Sequence, residues 1–152
     1  MRLSRQLEPE MVLIDPQVEM RDDLFASFAA MVHEAGMIDA PDVMIERLLE
    51  REAILSTGIG GGVAVPHAQI PGLGRLVMAA STHPGGLDYP SLDNQPVRLV
   101  FCLIGDANTA ADHLAGLARL ARLARRPQLL EPLITATEGI EFRSILERLE
   151  GG

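Results

Sequence analysis

Apolar positions along the chain fall into short blocks with two different periods. A run at 11–14 predicts a first strand. Asp22 and Asp23 then open a helix whose apolar residues Leu24, Phe28, Met31, Val32 and Ala35 recur at spacings of three and four. Gly36 supplies a stop for it. Pro41 stands where a second helix begins, with Ile45, Leu48 and Leu49 as its buried side and its end near Ala53. A glycine-rich stretch at 56–62 leads into Val63, Ala64 and Val65, an apolar piece that stops at Pro66 because proline lacks the N–H of a ladder. A strand is predicted over 76–81 and a loop over 83–90, where proline and glycine cluster. The run 97–104 is almost wholly apolar and predicts a central strand covered on both faces.

The rest of the chain reads as helical. Thr109 is placed as an N-cap, with Asp112 in the first turn. Leu114, Leu117, Ala118 and Ala121, flanked by Leu120, form the expected buried face. Pro127 starts a further helix, and Pro132 falls in its first turn or breaks it. A terminal helix over 140–149 buries Phe142, Ile145, Leu146 and Leu149. This order of elements predicts an α/β fold, a three-layer α/β/α sandwich with a single mixed β-sheet.

Composition sharpens that picture at a few points. The 152 residues suit one domain over 1–152 with a core of its own. Apolar residues make up 47% and aromatics only 3%, so the core is aliphatic. A formal net charge of -8 argues against nucleic acid, whose phosphates demand clustered cations, and suits a basic protein partner. The single cysteine, Cys102, lies inside the most apolar strand and reads as a buried, inert thiol. It can form no internal disulfide, and no Cys/His cluster has metal-ligand spacing, which fits a reducing compartment. The first ten residues lack a signal-peptide core, and no apolar stretch approaches the ~20 residues of a membrane span. A cytoplasmic protein without membrane insertion is expected.

The chemistry concentrates between Arg51 and Gly72. Gly58, Gly60, Gly61 and Gly62 let the backbone approach a ligand closely, and turned N–H groups of this kind can cradle an anion. Thr57 adds a hydroxyl and Arg51 a permanent positive charge. His67 follows the strand-ending proline, and imidazole is a competent nucleophile near neutral pH. Together these residues suggest phosphate chemistry. Separately each has a plainer role: glycines turn chains, Arg51 suits a helix C-terminus, and a lone histidine is more often structural. The nucleotide P-loop is excluded because Gly-Lys-Ser/Thr is absent, and the dinucleotide fingerprint because Val63 stands at its third glycine. His33 is expected at a helix surface, and His83 in a loop without a recognisable partner.

The string Arg51-Glu52, Ser56-Thr57-Gly58-Ile59-Gly60, Gly62-Val63-Ala64-Val65-Pro66-His67 resembles the signature of the fructose/mannitol-type IIA family of the phosphotransferase system. The likeness extends to Glu34-Ala35-Gly36, Gln95-Pro96-Val97 and His113-Leu114. It implies a mixed sheet between helical layers and phosphorylation of His67 by a histidine-containing phosphocarrier. It also implies a second histidine, His113, beside the first, Arg51 near the site, and no metal or organic cofactor. The onward acceptor would be a IIB domain or a regulated protein. Where many members carry Lys or Arg two residues after the histidine, this chain has Gln69. The continuation Ile70-Pro71-Gly72-Leu73 looks more like the nitrogen-regulatory branch than the sugar-transporting one. A sugar-transport subunit and an unphosphorylated interaction module remain alternatives at this level.

Overall fold

The computed structural model describes residues 2–151. One six-stranded mixed sheet runs through it: β1 (Val12–Ile14), β2 (Gly58–Gly60), β3 (Val63–Ala64), β4 (His67–Gln69), β5 (Val77–Leu87) and β6 (Val97–Gly105). The spatial order is β1-β5-β6-β3-β2, with β4 also paired to β6. β6 is the central strand expected from its apolar run. It is antiparallel to β5 on one side and parallel to β3 and β4 on the other. β3 and β4 lie one after the other along that second side, Ala64 opposite Val100 and His67 opposite Leu103. Pro66 interrupts the line, yet its carbonyl still accepts the N–H of Leu103 at 3.0 Å.

Helices cover both sides of the sheet, as expected for a three-layer fold. They are α1 (Leu3–Gln6), α2 (Arg21–Glu34), α3 (Pro41–Ile54), α4 (Ala110–Ala124), α5 (Glu131–Ile134) and α6 (Gly139–Gly151). α2 and α3 pack on each other, and α3 reaches β4. α1, unforeseen in the sequence, docks on α6: the Glu150 carboxylate accepts from Leu3 N at 2.6 Å and Ser4 N at 2.7 Å, two of the donors a helix start leaves over. The core is aliphatic with four buried phenylalanines, of which Phe101 and Phe142 meet at 5.9 Å between β6 and α6.

Several expectations need correction. β5 continues to Leu87 through the predicted loop. A register shift between Thr82 and Leu87 accommodates Pro84 there, since an irregular stretch of strand asks no ladder bond of its nitrogen. His83 is accordingly not a loop residue without a partner: it is buried, with Nε2 2.7 Å from Ser81 Oγ. Thr109 does not cap α4 with its side chain. Asp106 accepts from Asn108 N and Thr109 N and caps a 3-10 turn, Ala107–Thr109, that leads into α4, while Thr109 Oγ1 accepts from Asp106 N. α4 is also rotated from its expected face. His113, Gly116 and Leu120 are buried, whereas Ala118 and Ala121 are exposed and Leu114 is 70% exposed. Pro127 opens only a 3-10 turn, and Pro132 falls in the first turn of the short α5. On α2, Phe25 and Ala29 are buried instead of Ala35, which is exposed at the helix end.

Candidate functional site

A cleft of about 460 Å³ opens where α3 and α4 flank β4. Its lining comprises Arg47, Glu50, Arg51 and Ile54 from α3, His67, Ala68 and Gln69 from β4, and Ala110, His113, Leu114 and Leu117 from α4. Three of the residues singled out in the sequence, Arg51, His67 and His113, meet here.

His67 reaches the cleft because Pro66 breaks the ladder and β4 resumes along β6 at His67 itself. Its Nδ1 lies 2.8 Å from the carbonyl oxygen of Val65. A carbonyl can only accept, so Nδ1 carries the hydrogen and the neutral ring keeps its lone pair on Nε2. Burial pulls the pKa of this half-buried ring below the ordinary histidine value of 6.5, and the nearby Arg51 charge pulls the same way. The Val65 carbonyl and the Glu52 charge oppose them without reversing the shift. Near neutral pH the ring is therefore uncharged.

His113 lies edge-to-face against His67, ring centroids 5.5 Å apart and planes at 75°. Only 6% of it is exposed. Its pKa is also lowered, first by burial and then by the His67 charge. Its Nδ1 is buried with no hydrogen-bond partner among the described residues. The ring fits because Gly105 has no side chain: a Cβ there would stand 3.2 Å from His113 Nδ1 and 2.6 Å from Thr109 Oγ1. The Arg51 guanidinium donates to the Leu55 carbonyl at 2.7 Å, which closes the C-terminus of α3 and holds the charge beside the cleft.

The glycine run and Thr57 lie elsewhere. Gly60, Gly61 and Gly62 all adopt positive φ, at 93°, 67° and 81°, and form the tight link between β2 and β3. Gly61 N–H donates to the Asp93 carboxylate at 3.1 Å, and Gly58 packs so closely on Pro90 and Ser91 that any Cβ would collide. None of the four glycines lines the cleft. Thr57 is buried, its hydroxyl committed to Glu52 and Tyr89. The stretch that reads as a phosphate cradle instead joins β2 to β3 away from the cleft, with the Gly61 amide bound to Asp93 and the Gly58 amide to Ser56 Oγ.

Arg47 was missed in the sequence. It lies one helical turn before Arg51, so the i, i+4 spacing already put both cations on one face. It supplies a positive group on the cleft wall although Gln69 is neutral, and it pairs loosely with Glu50 at 3.9 Å. Ile54 (80% exposed) and Leu114 (70%) form an apolar rim on either side of the histidines.

The geometry is thus an open mixed sheet between helices, with two imidazoles meeting in a cleft beside it. The fold matches a crystal structure described as nitrogen regulatory protein IIA-Ntr from Neisseria meningitidis, with a TM-score of 0.86 and 28% identity over 95% of this chain and 98% of that one. A sequence model of the family "Phosphoenolpyruvate-dependent sugar phosphotransferase system, EIIA 2" matches residues 5–149, and the chain belongs to that family. It is 32% identical to a nitrogen regulatory protein of Bradyrhizobium diazoefficiens over 96% of this chain and 95% of the relative. It is 30% identical to a fructose-specific EIIA component of Haloferax volcanii over 74% and 73% of the two chains. Among the described residues no helix is long and apolar enough to cross a membrane.

Proposed function

We propose that this IIA protein carries a phosphoryl group on Nε2 of His67, received from a histidine-containing phosphocarrier. The observation that carries this reading is the 2.8 Å contact between His67 Nδ1 and the Val65 carbonyl, which commits one ring nitrogen and leaves the other a free base in the cleft. In the transfer, the Nε2 lone pair forms the new N–P bond as the donor's N–P bond breaks and its electron pair returns to the donor imidazole. The His67 ring becomes formally cationic, and Nδ1–H then donates more strongly to Val65. Positioning and charge do most of the work in such a step. His113 acts as a donor to the phosphoryl oxygens, and Arg51 and Arg47 contribute positive charge that Gln69 does not. The apolar rim of Ile54 and Leu114 suits partner surfaces that must exclude water during transfer.

Incubation with phosphoenolpyruvate and the two upstream carriers tests the proposal. The wild type acquires an acid-labile, base-stable phosphoryl group, and H67A acquires none, while H33A and H83A label normally. Full labelling of H67A would refute it, and an unlabelled wild type would favour an interaction module that is never phosphorylated.

The phosphorylation state would serve regulation of partner proteins. The end-to-end likeness to a nitrogen regulatory protein and the Ile70-Pro71-Gly72-Leu73 continuation support that role. Delivery to a IIB domain is the competing reading, supported by the fructose-specific relative.

A further inference from the structure

The signature residues Glu52 and Thr57 do not touch the cleft. They nevertheless connect to it through an unbroken series of bonds. The Glu52 carboxylate, on the last turns of α3, is buried. It accepts from Thr57 N at 3.2 Å, from the Thr57 hydroxyl, and from Tyr89 OH at 2.7 Å. The Arg21 guanidinium stands 3.7 Å away and balances its charge. Tyr89 OH also lies 2.5 Å from Thr57 Oγ1, and burial together with Glu52 raises the phenol's pKa, so the hydroxyl stays protonated as a donor. From Thr57 the series continues along the backbone: the Thr57 carbonyl accepts the N–H of Val65 at 2.9 Å. The Val65 carbonyl then accepts Nδ1–H of His67 at 2.8 Å.

Each link has a physical consequence. Val65 lies between β3 and Pro66, outside any named strand, and is not paired with a β6 residue as Val63 and Ala64 are. The bond from its N–H to Thr57 holds the stretch on one side of the Val65 carbonyl, and the bond from Leu103 N–H to the Pro66 carbonyl holds it on the other. Thr57 in turn follows the end of α3 and is anchored at two atoms by Glu52. A carboxylate that accepts both an amide and a hydroxyl of one residue fixes that residue's rotamer and peptide plane together.

We infer that Glu52, Thr57 and Tyr89 form a buried strut that holds the Val65 carbonyl against His67 Nδ1, making Glu52 and Thr57 positioning residues for phosphoryl transfer. The strut selects the Nδ1–H tautomer and so presents Nε2 as the nucleophile. In water the two neutral tautomers of imidazole differ little, so this selection is the work of the protein. The inference rests on the His67 reading above for its catalytic consequence, but the tautomer itself is a property of the unphosphorylated protein.

The test uses the full chain and the variants T57V, T57S, E52Q and Y89F. Nitrogen-15 NMR reads the His67 tautomer at a pH where the ring is neutral, and steady-state transfer from the phosphorylated carrier gives kcat and KM separately. The wild type holds His67 in the Nδ1–H form. T57V and E52Q raise the Nε2–H fraction and lower kcat about tenfold, equivalent to about 1.4 kcal/mol, with KM for the carrier little changed. T57S, which keeps the hydroxyl, restores both readouts, and Y89F gives a smaller shift in the same direction. Should T57V or E52Q fail to fold, T57S and Y89F still bracket the effect of the hydroxyls. Unchanged tautomer populations in folded T57V and E52Q would overturn the strut, as would a loss confined to KM. A wild type with the Nδ1–H tautomer that accepts no phosphate would leave the strut standing and remove the carrier reading.

Discussion

His113 lies beside the proposed nucleophile, 5.5 Å between ring centroids. Its Nδ1 is buried on the Gly105 side of the ring, so support for a phosphoryl group in the cleft falls to the other nitrogen, Nε2. A charge-assisted hydrogen bond contributes about 1.5–3 kcal/mol, so H113A should still label at His67 but ten- to a hundredfold more slowly, with its fold intact. Rapid-quench transfer assays decide this, and an unchanged rate would remove the supporting role. His83 behaves differently. Burial lowers its pKa to about 4, only weakly countered by Asp15, against an unfolded value near 6.5. The unfolded chain therefore takes up the proton first. Stability is full above pH 6.5 and falls by about 2–3 kcal/mol as the pH drops toward 4. Urea titrations across that window should show the fall, and H83Q should flatten it.

At the scale of elements, glycine placement and polar caps decide how the helices meet the sheet. Gly105 gives α4 room to bring His113 down beside β6, and Asp106 turns the chain into that helix. At the opposite end of the chain, Glu150 joins α6 to α1 by accepting two backbone N–H groups, with Arg119 of α4 at 3.7 Å. Replacement E150A leaves those donors buried without a partner. It should cost about 1–3 kcal/mol in chemical denaturation and expose the 3–6 segment to proteolysis first. E150Q should recover part of the loss because its amide oxygen still accepts.

For the whole molecule, the distribution of charge matters more than its sum. The chain carries a formal charge of -8, yet the wall of the cleft presents Arg47 and Arg51 beside the histidines. On the proposed reading, a carrier delivering a phosphoryl group would meet local positive charge on an acidic body, which would orient the encounter. What happens after transfer separates the regulatory reading from the transport one. Deleting the gene should leave uptake of fructose and mannitol intact, as measured with labelled sugars. A specific loss of either uptake would assign the protein to transport instead.

Residue pattern alone determined the parts that depend on local period and local chemistry. The apolar run at 97–104 announced a doubly covered strand, the three-and-four spacing announced α2, and Pro66 announced where the strand before it stops, though not that pairing with β6 resumes as β4 at His67. The class of the fold follows from those periods, because each element can bury its apolar face in few ways. Tertiary structure decided everything that depends on where polar atoms find partners. Thr57 and the glycines read as phosphate ligands in sequence, yet both donors of Thr57 are taken by Glu52 and the Gly61 amide by Asp93, 32 positions away. Arg47, Arg51, His67 and His113 come from three elements and meet only because β4 and α4 both close on the end of β6. The rotation of α4 was equally hidden: its leucines suggest one buried face, but the imidazole of His113 over Gly105 sets another. Hydrogen bonds are short and directional, so a partner's identity is fixed by position in space, and one-dimensional spacing carries that information only within a single element.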